Sequence, residues 1–368
     1  MLLSLFIAFI FSTILGALVI RYNHMHQHLT NDNQQGPQKF HKQNVARIGG
    51  LPIFAGWTIG LLVLFLKTQD SQFLWMILPP LPALGFGLLE DFTKKVSPQT
   101  RLIATFLSAI IGYFLIQAKM TRVDIPWVDS LLQTHIFISV LFTMFSAGGV
   151  AHSFNIIDGY NGLSGMVSVL ILFALAYVSF KLNDAIVLGT SFALIGAVLG
   201  FLIWNFPRGL LFAGDGGAYL MGFVIAELSL KLVHSYSDVS AWFPLLLVIY
   251  PVFETLFSIY RRKFLQKKSI GYPDALHLHQ VIYKRLVRWM IGSDEILHQT
   301  QRNSMTSPYL WGLTVTSVIP AIIFWKSTPV LVFFIFLFIL TYIWLYKSLI
   351  QFKSPRFLKI SKNKKLAP

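Results

Sequence analysis

The sequence predicts an all-α integral membrane protein with about eleven transmembrane helices. Three observations carry that expectation. Of the 368 residues, 55% are hydrophobic and 12% are charged, whereas a soluble domain carries about 25% charged residues. The mean hydropathy is +0.64. The apolar residues are gathered into runs close to the roughly 20 residues that cross a bilayer. The formal net charge is +15; in a chain of this class such an excess marks the cytoplasmic face and not a nucleic-acid partner. There is no cysteine, which excludes disulfides and thiolate metal sites.

In chain order the apolar runs lie at roughly 2–20, 48–66, 72–89, 102–118, 131–150, 163–180, 185–204, 210–230, 239–259, 308–325 and 329–346. The first lacks a positive leader and a small-residue cleavage site, so it reads as a retained helix and not a signal peptide. Eleven crossings put the connections on two faces. One set, 67–71, 119–130, 181–184, 231–238 and 326–328, holds six of the 30 Lys and Arg. The other set, 21–47, 90–101, 151–162, 205–209, 260–307 and the tail, holds the remaining 24. That four-to-one bias orients the second set toward the cytoplasm, with the N-terminus outside and the C-terminus inside. The chain divides into a membrane domain, 1–349, with a large cytoplasmic loop at 260–307, and a basic tail, 350–368.

Only 15 residues are acidic, so their placement is informative. Glu90 and Asp91 end the third run in "GLLEDF". Asp158 lies in "NIIDGYNGLSG", a connection too rich in Asn, Asp and Gly for a simple turn. Asp215 opens the eighth run in "LFAGDGGAYLMG". Asp274 precedes His277 and His279 in "GYPDALHLHQ". Each has a simpler reading. Asp215 can cap a helix, Asn161–Gly162 can make a turn, Glu90–Asp91 beside Lys94–Lys95 can be a solvated cluster, and His-x-His can be surface decoration. Their convergence on one face argues for a site, since ionisable groups at membrane depth are costly. Several carboxylates with an asparagine carbonyl are hard oxygen donors suited to Mg²⁺. Two histidines near Lys267, Lys268, Lys284 and Arg285 suit phosphate oxygens, as do backbone amides at a helix start. Phosphoryl transfer involving a lipid phosphate fits the set.

These motifs resemble those of the polyprenyl-phosphate N-acetylhexosamine-1-phosphate transferases, glycosyltransferase family 4. "HKQNVARIGGLPIF" is similar to the family's His…Arg-x-Gly-Gly segment, and "GLLEDF" stands at its paired aspartates. "NIIDGYNGL" matches Asn-x-x-Asp-Gly-x-Asn-Gly-Leu, "FAGDGG" matches Phe-x-Gly-Asp-x-Gly, and "PDALHLHQ" resembles Pro-Asp-x-x-His-x-His-His. Two positions depart: Glu90 replaces the first acid of the pair and Gln280 replaces a third histidine. The loop points to the branch initiating O-antigen and other envelope polysaccharides instead of the peptidoglycan lipid intermediate.

The resemblance implies transfer of N-acetylhexosamine 1-phosphate, most commonly GlcNAc 1-phosphate, from a UDP-sugar to undecaprenyl phosphate, releasing UMP at the bacterial inner (cytoplasmic) membrane. It implies Mg²⁺, with Mn²⁺ as the alternative, held by Asp215 and Asn155. Asp91, with Glu90, is expected near the lipid phosphate as base or positioner. Asp158 and Asn161 are expected at the nucleotide or the metal, and Arg47, His277 and His279 on the diphosphate or sugar. The catalytic set is thus Glu90, Asp91, Asp158 and Asp215. The partners are the two substrates and the lipid bilayer, with no nucleic acid; a homodimer is compatible with the sequence. A transporter or flippase using the same acids is the alternative. It predicts acids near the midplane and a polar path from both faces, whereas only Glu227 and Glu254 lie inside helices and the outer connections are too short to form a site.

Overall fold

The computed structural model describes residues 1–30, 45–267, 276–287 and 296–351. His41, Lys268, Pro273, Asp274 and the tail from 352 lie outside these residues. Among the described residues the regular elements are helical, and the one β feature is an isolated parallel bridge between Ala46 and Leu211. The first helices are α1 (Leu2–Arg21), α2 (Asn23–Thr30), α3 (Gly50–Thr68), α4 (Gln72–Trp75) and α5 (Leu81–Thr93). Next come α6 (Pro98–Leu115), α7 (Pro126–Thr134), α8 (Ile136–Ile157), α9 (Leu163–Lys181), α10 (Ala185–Asn205) and α11 (Gly214–Ser235). The last are α12 (Trp242–Leu247), α13 (Ile249–Tyr260), α14 (Leu278–Ile282), α15 (Ile296–Ile323) and α16 (Thr328–Ile350), with π-helical turns at Arg261–Leu265 and Tyr283–Val287.

Among the described residues, eight helices are long and apolar enough to cross a membrane: α1, α3, α8, α9, α10, α11, α15 and α16. All eight fall on apolar runs of the sequence. The other three expected crossings take different forms. The run at 102–118 is the 18-residue α6. The run at 72–89 is divided, because Pro79, Pro80 and Pro82 cannot supply the amide donors of a continuous helix, and α5 restarts with proline in its first turn. The run at 239–259 divides at Val248. Pro251 has no N–H for the Leu247 carbonyl four residues back, which opens the helix there. Conversely α15 begins well before residue 308 and runs through Pro308.

α11 is the central post. Almost every residue along it is buried, as expected of a helix without a polar face, and it packs against α3, α5, α8 and α9. α1 lies across α10, where a Cβ on Gly196 would stand 2.2 Å from the Leu5 carbonyl oxygen; small residues allow such close crossings. The outward faces of α1, α8 and α16 expose Phe6, Phe137, Phe145 and Phe336, the pattern of lipid-facing surface.

The two ends of the bundle differ. At one end Asp124 ties three connections together. It accepts from Arg122 at 2.5 Å, Ser240 Oγ at 3.1 Å, the Ala241 amide at 2.9 Å and Thr328 Oγ1 at 2.7 Å. At the other end the C-termini of α5 and α8 meet the N-terminus of α11. The acidic motifs gather there.

Candidate active site

The site is organised around the start of α11. Gly214 has φ +70°, and a Cβ there would lie 2.1 Å from the Arg47 carbonyl oxygen and 2.5 Å from Asp91 Oδ2; only glycine fits this turn. The first amides of a helix lack intrahelical partners. Here they are met from another helix: the Asp215 and Gly216 amides each donate to one Asp91 oxygen at 2.9 Å. Asp91 is fully buried. Burial pushes its carboxyl up to about 7, against the pull of Arg47 and the Gly216 amide.

This cap fixes Asp215 with its side chain facing a cluster of donors. Its Oδ1 accepts from Asn155 Nδ2 at 3.0 Å and from Arg47 Nη2 at 3.3 Å, and its Oδ2 pairs with Arg101 Nη1. Arg101 comes from the first turn of α6, whose start is capped by Ser97 accepting the Thr100 amide at 3.1 Å. Arg47 is delivered by the extended segment beside Leu211, where the Phe212 amide donates to the Ala46 carbonyl at 3.0 Å and the Gly50 amide to the Ala213 carbonyl at 3.0 Å.

Asp158 ends α8 and accepts from the Ser164 hydroxyl. Burial among the surrounding walls pushes its carboxyl up to about 6, opposed by Ser164 and Arg47. His277 stands at the start of α14, where its backbone amide donates to Gln280 Oε1 at 3.1 Å. The glutamine at the expected third-histidine position thus has a structural task. The His277 and His279 rings stack at 5.2 Å, and His279 lies 5.2 Å from the Tyr160 ring.

A cavity of about 300 Å³ joins these parts, with Arg47, Asn155, Asp158, Asp215, His277 and His279 in its walls. Three residues expected at the site do not line it. Asp91 is spent on the α11 amides. Glu90 Oε2 accepts the Val96 amide at 2.7 Å and closes the turn after α5. Asn161 is 1% exposed. Its amide donates to Asn303 Oδ1 at 2.8 Å, its carbonyl accepts from Ser307 Oγ at 2.6 Å, and its Nδ2 donates to the Pro207 carbonyl at 3.0 Å. It pins the Asp158 connection to α15. Arg101 was absent from the sequence expectation; the one signal for it is a lone arginine opening an apolar helix at the basic face.

The donors suit a hard cation. Among the described residues no three His, Cys, Asp or Glu side chains close into a metal cage. Asp215, Asp158 and Asn155 line the same cavity, and two carboxylates with an amide oxygen are the kind of donor set that Mg²⁺ takes beside substrate phosphates.

Residues 73–233 match the family model described as glycosyl transferase family 4. The chain is 28% identical over 257 residues to a probable undecaprenyl-phosphate N-acetylglucosaminyl 1-phosphate transferase of Bacillus subtilis, covering 67% of this chain and 68% of that one. It is 31% identical over 239 residues to a phospho-N-acetylmuramoyl-pentapeptide-transferase of Clostridium botulinum, covering 62% of this chain and 73% of that one. A phospho-N-acetylmuramoyl-pentapeptide-transferase of Oceanobacillus iheyensis is 26% identical over 246 residues, with 63% and 75% covered. The chain belongs to the polyprenyl-phosphate hexosamine-1-phosphate transferases of glycosyl transferase family 4.

Proposed function

We propose that the protein transfers N-acetylhexosamine 1-phosphate, with N-acetylglucosamine as the sugar, from its UDP derivative to undecaprenyl phosphate and releases UMP. The observation that carries this reading is the one cavity in which Asn155, Asp158 and Asp215 face Arg47, His277 and His279. Oxygen donors for a cation beside cationic and imidazole groups for phosphates are what two phosphorylated substrates require. An oxygen of the lipid phosphate attacks the phosphorus bearing the sugar. A new P–O–P bridge forms, and the bond to UMP breaks with its electron pair leaving on UMP. In such displacements a protein supplies positioning and charge stabilisation.

Asp215 and Asn155 would hold Mg²⁺, with Asp158 lining the same cavity. Bound there, the ion would neutralise diphosphate oxygens. Arg47 and Arg101 add positive charge beside Asp215, and the histidines grip the diphosphate or sugar. A phosphate monoester is mostly dianionic at neutral pH, its second pKa being about 6, so the attacking oxygen needs no strong base. The bonds from Asp91 to α11 favour the positioning role over the base. The histidine loop, which differs from the peptidoglycan branch's pattern, and the name of the Bacillus relative support a first membrane step of envelope polysaccharide synthesis over the peptidoglycan lipid intermediate. The cavity faces the cytoplasm in this reading, in the bacterial inner membrane.

The test is UMP release in detergent, with undecaprenyl phosphate and a panel of UDP-sugars. UMP is expected only when lipid phosphate and a UDP-N-acetylhexosamine are both present, fastest with UDP-GlcNAc. Absence of UMP with every sugar would overturn the reading.

A further inference from the structure

Behind His277 stands a buried acid that nothing above assigns. Glu254, on α13, has 0% exposure. Its Oε1 accepts from His277 Nδ1 at 3.0 Å and from the Leu278 amide at 3.1 Å. Its Oε2 accepts from the Tyr342 hydroxyl of α16 at 2.7 Å and lies 3.3 Å from the Leu278 amide. A carboxylate so deep is costly unless paired and hydrogen-bonded, and these contacts meet that need. Two of the three groups it holds are the ring of His277 and the amide that follows it.

We propose that Glu254 is a positioning residue for the transfer, holding Nδ1 of His277 so that the opposite edge of the ring, carrying Nε2, meets an oxygen of the nucleotide-sugar in the cavity. This rests on the transferase reading. The two nitrogens of an imidazole are distinct, and the partner of one decides what the other presents. His277 lines the cavity, while its Nδ1 turns into the protein toward Glu254. The stacked His279 ring, at an interplanar angle of 17°, closes the other side. The ring is therefore fixed from two directions, by a carboxylate at its edge and an imidazole on its face. Intramembrane acids in this chain are few, and this one spends its oxygens on a cavity side chain.

The competing role is a plain tie between α13, α14 and α16. A double-mutant cycle separates the two, using Glu254→Gln, His277→Ala and the pair, with kcat and KM for UDP-GlcNAc measured on full-length protein in detergent. Glu254→Gln is expected to lower kcat/KM about 10–100-fold, the range for outer partners of metal-bound histidines. In the His277→Ala background the same change should cost less than about threefold, since coupled residues are non-additive. Tyr342→Phe removes a bond to the same carboxylate without touching His277, and should cost less than about fivefold, one hydrogen bond's worth. If the full loss persists without His277, or if Tyr342→Phe equals Glu254→Gln, Glu254 is only a tie. A readout independent of turnover is the ¹⁵N signal of the His277 ring, identified by its disappearance in His277→Ala. It should shift in Glu254→Gln, and an unchanged signal overturns the proposal. Wild-type protein that releases no UMP would instead sink the transferase reading, leaving the ring signal to decide the role of Glu254.

Discussion

Replacing Asp91 by Asn tests how the start of α11 is held. Each Asp91 oxygen accepts one backbone amide at 2.9 Å, from Asp215 and from Gly216. Asparagine keeps one acceptor but sets an NH₂ against the other amide. One charge-assisted bond is lost and a buried N–H is stranded, a loss on the order of 3 kcal/mol. The turn then relaxes, and Asp215 moves with it. A displacement of about 1 Å in a positioned group costs on the order of 100-fold in rate. The assay is UMP release per amount of monodisperse protein, alongside thermal unfolding in the same detergent. Activity and unfolding temperature should fall together in Asp91→Asn. Gly214→Ala should reproduce the paired loss, because its φ of +70° and the 2.1 Å approach to the Arg47 carbonyl oxygen exclude a side chain. Asp91→Asn protein that unfolds like wild type yet is inactive would refute this reasoning and make Asp91 a group acting on substrate.

Asp215→Asn should lose at least about 100-fold in activity and also lower the unfolding temperature, because it removes the charge that pairs with Arg47 and Arg101; full activity with an unchanged Mg²⁺ requirement would reduce it to a turn residue. Glu90→Asp should retain most activity, since Glu90 Oε2 accepts the Val96 amide at 2.7 Å and the side chain lies off the cavity wall; an inactive Glu90→Asp enzyme would put Glu90 on a substrate. At the far end, partial burial works to raise the Asp124 carboxyl, but Thr328, the Ala241 amide, Arg122 and Ser240 outweigh it and hold the group below the usual carboxylate range. A depressed carboxyl stabilises the fold above its unfolded-state value and loses that contribution as pH falls through the native one. Thermal stability should therefore drop on acidification below the ordinary aspartate range, about pH 4, and drop less in Asp124→Asn; equal acid sensitivity of the two proteins would count against the tie.

The positions of the crossing helices were legible because burial in lipid demands long apolar runs, whatever the packing. The breaks at Pro79–Pro80 and before Pro251 were written in the prolines, but hydropathy alone passes over them. The short α2 and α7 bury too little apolar surface to leave a signal. Arg47, Asn155, Asp158, Asp215, His277 and His279 could be gathered from motifs on one face, and the fold brings them around one cavity. Motif spacing could not tell which way an acid or amide turns. Asp91 lies in a matched motif and Asn161 directly follows the cavity residue Tyr160, yet both point into backbone amides and carbonyls of other elements. Arg101 and Glu254 were hidden for a different reason. Their partners, Asp215 and His277, lie 114 and 23 residues away, and only tertiary packing joins them.

In the proposed reaction the sugar moves together with its phosphate. UDP-GlcNAc labelled with ³²P at the phosphorus bearing the sugar, incubated with the purified protein, Mg²⁺ and undecaprenyl phosphate, tests it directly. The label should pass into the organic phase in an amount equal to the UMP released, and Asp215→Asn protein should leave it in water. Label that stays in water as UDP while the sugar enters the lipid would mean transfer at the sugar carbon, and would contradict the phosphoryl transfer derived from this site.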